Sequence, residues 1–321
     1  MGILNYIDGY LKSGDAWEDL CVECYRQRYV DEHYTPIPAT QGGDSGIEGF
    51  TQSGVVHQCY CPERDYTDNE LYNHLRDKMS ADIDKLMKAQ YAQRLNDLGV
   101  PAIKEWHFVI PEYRDDRILK HAQTKRLEVL SAKKDRPNDY LHIHDDFVIL
   151  IKCAAEFNVE IIRHIRSPHT DYLLNLTIKH SETPDWEKCG DESEKVANIR
   201  RKIKAVMNTE NDSDDVDKLV SQFVESYISG LTILNDLQMS APEFHKDLIE
   251  LEQVVKRDVA MQTVMNTDPA TYQTTFFNIL NNFEDKLKAE FAEVLTLASI
   301  GELKQDLVSS WLADCSMEFR K

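Results

Sequence analysis

The sequence predicts an α+β protein in two parts, a mixed-sheet core flanked by helices over residues 1–168 and an all-helical domain over residues 169–321. Three observations carry this expectation. Helical and strand patterns alternate as far as Pro168, the arrangement that builds a mixed α/β core. Beyond Pro168 the strand signals fade and only helical periodicity remains. Acidic residues also gather in the second part: residues 171–321 hold 16 Lys and Arg against 28 Asp and Glu, whereas residues 1–170 hold 21 against 28.

Taken in order, Ser13-Gly14-Asp15 starts a helix on which Trp17, Leu20, Cys21, Cys24 and Arg28 share a face. Pro36 and Pro38 precede a Gly-rich turn. Ile47 to Thr51 and Val55 to Tyr60 then flank Gln52-Ser53-Gly54, a hairpin-length turn, and Pro62 halts the second strand. A long helix is expected from Thr67 to Leu98, with Leu71, Leu75, Met79, Ile83 and Leu86 as its stripe and Gly99 just past its end. Trp106 to Ile110 reads as a buried strand ended by Pro111, and Asp115 to Lys134 as a helix. Tyr140 to His144 reads as a further strand and Asp146 to Phe157 as a helix.

In the second part, Asp185–Glu194 and Asn208–Asp217 are polar, acidic connections. The apolar sets Val196, Ile199, Ile203, Val206 and Val216, Leu219, Phe223, Tyr227, Leu231 mark two helices. Ser240 to Glu243 has the form of a capping box before Phe244, Leu248, Leu251 and Val255. Asp268-Pro269 opens another helix through Phe276, Ile279, Phe283 and Leu287.

Composition narrows the class of protein. The chain is 42% hydrophobic and 29% charged, which is globular rather than disordered or fibrous. Its longest apolar run, Phe147 to Ile151, is too short to cross a bilayer, and the N-terminus lacks the basic-then-apolar pattern of a secretory leader. Seven cysteines outside any small disulfide framework suit a reduced, cytoplasmic setting. A net charge of −19 argues against non-specific coating of nucleic acid, while leaving room for a local basic groove in the first part.

The chemistry-bearing residues lie at the hairpin. Hydrolysis of a phosphodiester with Mg²⁺ needs acidic or carbonyl oxygens to hold the metal and a cationic group to offset charge on the phosphate. Glu18 on the first helix, Glu48 at the start of the hairpin and Gln58 on its second strand are the candidates. Strand alternation points Gln58 and Tyr60 one way and His57, Cys59 and Cys61 the other. Glu48 and the Gln58–Tyr60 face are therefore expected to converge, with the Cys59 carbonyl as a further ligand and Asp44 as a lesser one.

Trp17-Glu18-Asp19-Leu20, Gly43-Asp44-Ser45-Gly46-Ile47-Glu48-Gly49 and Val56-His57-Gln58-Cys59-Tyr60 together resemble the Mrr-type branch of the PD-(D/E)XK, restriction-endonuclease-like nucleases. That family shows an aromatic-Glu pair, a GxDxGIDG turn and a QxK strand in this order. The likeness covers residues 10–62, and the helix–strand–helix pattern that follows agrees with the fold. It implies a DNA endonuclease dependent on Mg²⁺ or Mn²⁺, with Glu48 and Gln58 in the site, supported by Glu18. Two departures stand out: Glu for Asp at 48, which keeps the charge, and Tyr for Lys at 60, which removes one. Lys78 or Lys85 on the following helix could replace that cation; otherwise the fold binds without cutting.

An Mrr-like nuclease followed by a helical domain also resembles effector subunits of Lamassu and ABC-three-component anti-phage systems. This implies partners: double-stranded DNA, an SMC/Rad50-like ATPase and a small accessory subunit, with self-association on activation.

Other clusters read more plainly. Lys120, Lys125, Arg126, Lys133 and Lys134 form the best basic patch for phosphates, or else a solvated helix face. Cys21-x-x-Cys24 and Cys59-x-Cys61 each put two thiols on one face, but regular helix is not the knuckle that zinc sites use, so they read as core. His142 and His144 read as a surface strand end.

Overall fold

The computed structural model describes residues 2–10, 13–38, 46–168, 170–177, 193–314 and 316–319. The chain divides into two compact units, one formed by Tyr10–His164 and the other by the remaining residues at both ends.

The first unit is built on a five-stranded mixed sheet. Helix α1 (Gly14–Arg28) opens it, with the Ser13 hydroxyl accepting a hydrogen bond from the Ala16 amide at 3.2 Å. Strands β2 (Thr35–Pro36), β3 (Gly49–Phe50) and β4 (Val55–Cys59) follow, with a short β1 (Ile7–Asp8) before them in the other unit. Helices α2 (Asp68–Leu86) and α3 (Ala89–Asp97), strand β5 (Ile103–Ile110), helix α4 (Arg117–Asp135), strand β6 (Ile143–Cys153) and helix α5 (Asn158–Ile165) complete it. The sheet order is β2-β3-β4-β5-β6, antiparallel across the first three strands and parallel across the last three.

Gly54 makes the hairpin turn at φ +90°, where a Cβ would meet the Ala102 carbonyl oxygen at 2.6 Å. The parallel register then sets Val56 beside Trp106, His57 beside His107 and Gln58 beside Phe108. One face of the sheet carries Val56, Trp106, Phe108 and Ile110 into a core with Leu71, Leu75, Met79 and Ile83 of α2 and Ile118, Ala122 and Val129 of α4. The opposite face meets the buried side of α1, made of Trp17, Leu20, Cys21, Cys24 and Tyr25.

Three sequence expectations need correction in this unit. Asp146 to Phe157 is not a helix. Residues 143–153 form one long strand, because Phe147 to Ile151 is an apolar, β-branched run without helical periodicity, and a parallel partner completes its backbone bonds. The expected strand at Tyr140 begins only at Ile143, since Pro137–Tyr140 is a 3₁₀ turn. The helix expected over residues 67–98 breaks at Met87–Lys88 into α2 and α3. Its start is firm: Thr67 and Glu70 form a reciprocal capping box.

Among the described residues, the second unit is helical apart from a two-stranded ribbon, in which β1 pairs with β7 (Leu173–Leu174). Helices α6 (Ser193–Val206), α7 (Asp214–Ser240), α8 (Pro242–Met265), α9 (Tyr272–Phe291) and α10 (Leu297–Ala313) pack around Phe244, Phe283, Leu307 and Trp311. The capping box expected at Ser240–Glu243 does not form. Ser240 is still inside α7, and its hydroxyl donates back to the Asp236 carbonyl at 2.7 Å. Asp268 does cap, accepting from the Ala270 amide at 3.0 Å. Among the described residues no helix is long and apolar enough to cross a membrane.

Candidate metal centre at the hairpin edge

Glu48 stands immediately before β3, where the ladder to β4 runs out. Its amide still donates to the His57 carbonyl at 2.7 Å and its carbonyl accepts from the Ile37 amide at 2.8 Å. Two residues past His57 along the same edge, the Cys59 amide has no strand opposite. The Glu48 carboxylate takes that place: Oε2 accepts from the Cys59 amide at 2.8 Å, and Oε1 accepts from the Gln58 side-chain amide at 2.5 Å. The same Gln58 amino group reaches the Cys59 carbonyl oxygen at 3.3 Å.

Backbone geometry behind Glu48 fixes this position. Gly46 adopts φ +80°, and a Cβ there would lie 2.6 Å from the Asp82 carbonyl oxygen. Its own carbonyl accepts from the Trp106 indole at 3.0 Å. Only glycine fits so close to α2 in a left-handed conformation.

The predicted residues thus fall out as follows. Glu48, Gln58 and the Cys59 carbonyl come together, and Glu48 and Gln58 are buried. Glu18 lies half-buried on α1, one turn before Cys21, whose thiol is raised mainly by burial and further by the charges of Glu48 and Glu18. Asp44 lies outside the described residues. Tyr60 stacks parallel to Phe108 with ring centroids 6.5 Å apart. Burial first, then the neighbouring Tyr66, Glu63 and Cys61, push its hydroxyl above the ordinary phenol range, so it is a neutral donor at pH 7. Lys78 and Lys85 are held on the buried Asp82 carboxylate at 2.6 and 3.1 Å.

The basic patch on α4 is largely engaged by the protein itself. Lys120 pairs with Asp116, Lys125 with Glu128 and Asp84, and Lys133 with Asp145, while Arg126 donates to the Phe147 carbonyl. Lys134 is exposed on the last turn. His142 lies 2.9 Å from the Leu86 carbonyl, and the His144 ring accepts from the Asp146 amide at 3.0 Å.

Sequence reading missed the residues on the α1 side of the hairpin. His57 is fully buried, with Nε2 at 2.7 Å from the Tyr34 hydroxyl and Nδ1 at 3.6 Å from the Cys59 sulfur and 4.0 Å from Glu48 Oε2. Burial, helped by the neighbouring His107, lowers its pKa to about 3, so the ring is neutral at pH 7. The Tyr25 ring stacks on His57 at 4.1 Å, and its hydroxyl lies 2.7 Å from Nδ1 of His107, whose Nε2 meets Glu105 at 3.0 Å. Gly49 makes this possible. It is opposite His57 in the ladder, and any Cβ there would overlap the Tyr34 ring. The alternation His57-x-Cys59 was the available signal, together with a second histidine one strand away.

Compared with family models, with curated proteins and with solved structures, the chain matches none.

Proposed function

We propose that the chain is a metal-dependent phosphodiester hydrolase acting on DNA, with Mg²⁺ or Mn²⁺ held by Glu48, Gln58 and the Cys59 carbonyl. The observation that carries this reading is the convergence of Glu48 Oε1 and the Cys59 oxygen on the Gln58 amino group, while Gln58 Oε1 is buried without a hydrogen-bond partner. A donor set between two oxygens occupies the place a hard cation would take. Half a turn of the amide puts a third oxygen there, giving the all-oxygen set that Mg²⁺ and Mn²⁺ prefer. When bound, the metal supplies Lewis-acid polarisation of a phosphate oxygen.

The protein groups have separate parts. Glu48 holds the negative charge at the sheet edge. Gln58 orients the site through its amide, and Tyr60 offers a neutral hydroxyl for positioning water. The position of the family's lysine carries that phenol, and Lys78 and Lys85 are committed to Asp82. Turnover slower than in a site with an ammonium group beside the phosphate is therefore expected. The order helix, hairpin, helices, strand, helix, which the resemblance to the Mrr-type nucleases implies, supports the same reading. An anti-phage role beside an SMC/Rad50-like ATPase follows from that resemblance and from the acidic, helical second part.

The test is cleavage of supercoiled plasmid by the chain, alone and co-expressed with its genomic neighbours, in Mg²⁺ or Mn²⁺. Nicking or linearisation is expected, and Glu48→Ala and Gln58→Ala each reduce the rate by about 100-fold or more. Cleavage that Glu48→Ala leaves unchanged overturns the proposal. The missing cation at Tyr60 favours one second reading, a nuclease-derived adaptor; metal binding without cleavage in the co-expressed complex selects it.

A further inference from the structure

We propose that Glu48, His57 and Cys59 form a binding site for a thiophilic divalent metal, Zn²⁺ in particular. This site lies on the α1 side of the hairpin, and it is argued without reference to DNA cleavage.

The geometry comes first. One ligand atom from each of Glu48, His57 and Cys59 falls within 4.8 Å of the other two, and all three residues are buried. Tetrahedral zinc with sulfur at about 2.3 Å and nitrogen or oxygen at about 2.0 Å sets its ligand atoms about 3.3–3.6 Å apart. The His57 Nδ1 to Cys59 Sγ separation of 3.6 Å already has that value, and the 4.0 Å from Nδ1 to Glu48 Oε2 needs only a small closure. The Cys21 thiol lies near the Cys59 thiol from α1 but stands outside this three-residue cluster.

The supporting groups fit as well. Tyr34 meets His57 Nε2 at 2.7 Å, which fixes the ring and turns Nδ1 toward Cys59 and Glu48. A hydrogen-bonded far nitrogen is the usual support of a metal-binding histidine. Thiolate and imidazole select zinc over magnesium, whereas the oxygens on the Gln58 side select the reverse. Charge also balances: the Cys59 thiolate and the Glu48 carboxylate neutralise a buried divalent ion, with neutral His57 as the third ligand and the Cys59 proton given up to solvent.

The set joins Glu48, just before β3, to His57 and Cys59 of β4, which is why the Cys21-x-x-Cys24 and Cys59-x-Cys61 spacings gave no sign of it. Cys21, Cys24 and Cys61 play no part in the set.

The experiment titrates the full-length, chelator-stripped chain with Zn²⁺ and with Co²⁺ as a spectroscopic substitute. One equivalent is expected to bind, and Co²⁺ is expected to give a near-ultraviolet thiolate charge-transfer band that Cys59→Ser abolishes. Tyr34→Phe keeps every ligand and is expected to weaken Zn²⁺ binding by about 10–100-fold. It therefore reads the site even if a ligand variant fails to fold. The proposal is overturned if Co²⁺ produces no thiolate band, or if folded Cys59→Ala binds Zn²⁺ as tightly as the unaltered chain. Neither readout depends on DNA cleavage, so failure here and failure of the hydrolase reading are separate results.

Discussion

The two faces of the β4–β5 pair are made differently from the same stretch of backbone. Toward α2 and α4 the strands show Val56, Trp106, Phe108 and Ile110, an apolar surface in contact with Leu71, Leu75 and Met79. Toward α1 they show His57, His107 and Cys59, met by Tyr25, Tyr34 and Cys21. Burial of the four side chains on the first face rests on shape and on one polar bond, from the Trp106 indole to the Gly46 carbonyl. Burial on the second is tolerable only because each ring nitrogen and hydroxyl meets another polar group. A fold needs one face like the first. The second is the costlier one to bury, and the Zn²⁺ site proposed above would account for it.

Substitutions can break that contrast. Trp106→Ala, on the apolar face, removes a fully buried ring and the indole bond to Gly46, and is expected to cost about 3–5 kcal/mol in a urea melt. Gly49→Ala forces Tyr34 away from His57. It is expected to cost about 1–3 kcal/mol and, unlike Trp106→Ala, to loosen Zn²⁺ binding at constant fold, which circular dichroism and metal titration separate.

Of these two faces, acid acts on the polar one. The folded His57 pKa of about 3 lies below the unfolded value of about 6.5. Between those values the unfolded chain binds the extra proton, so stability rises with pH. It is lost as pH falls from 6.5 toward 3, at about 1.4 kcal/mol per pH unit for this one ring. His107, also lowered by burial, adds to the slope. Melts in chelator across that range are expected to show it, and His57→Asn is expected to flatten it by one proton. The smallest effect belongs to Tyr60→Phe, which keeps the stack on Phe108 and is expected to change stability by less than about 1 kcal/mol. A larger loss would show that the hydroxyl holds the hairpin together rather than facing the site.

What the sequence made legible follows from how local each signal is. Gln52-Ser53-Gly54 between two apolar runs specified the hairpin, and the Leu71–Leu86 stripe specified α2, because neighbours in sequence carry both patterns. The strand β6 was misread because Phe147 to Ile151 is apolar at every position, and only its pairing with β5 decides its backbone. The break at Met87–Lys88 left no mark in the stripe. In the site, Glu48 and Gln58 were legible from order and spacing. The Tyr34–His57 contact was not, since it depends on an absent side chain at Gly49 and on a left-handed turn at His33, φ 55°. Cys21 and Cys59 meet only after α1 has docked on the sheet.

Glu48 presents one oxygen to each face, Oε1 toward Gln58 and Oε2 toward Cys59 and His57. The two oxygens share one planar group and turn as one body. Any ligand that draws the carboxylate toward one side withdraws it from the other, by the same free energy in both directions. The hairpin edge is thus a single balance arm: a chain loaded with a soft ion on the α1 side is, to that extent, closed to a hard one beside Gln58.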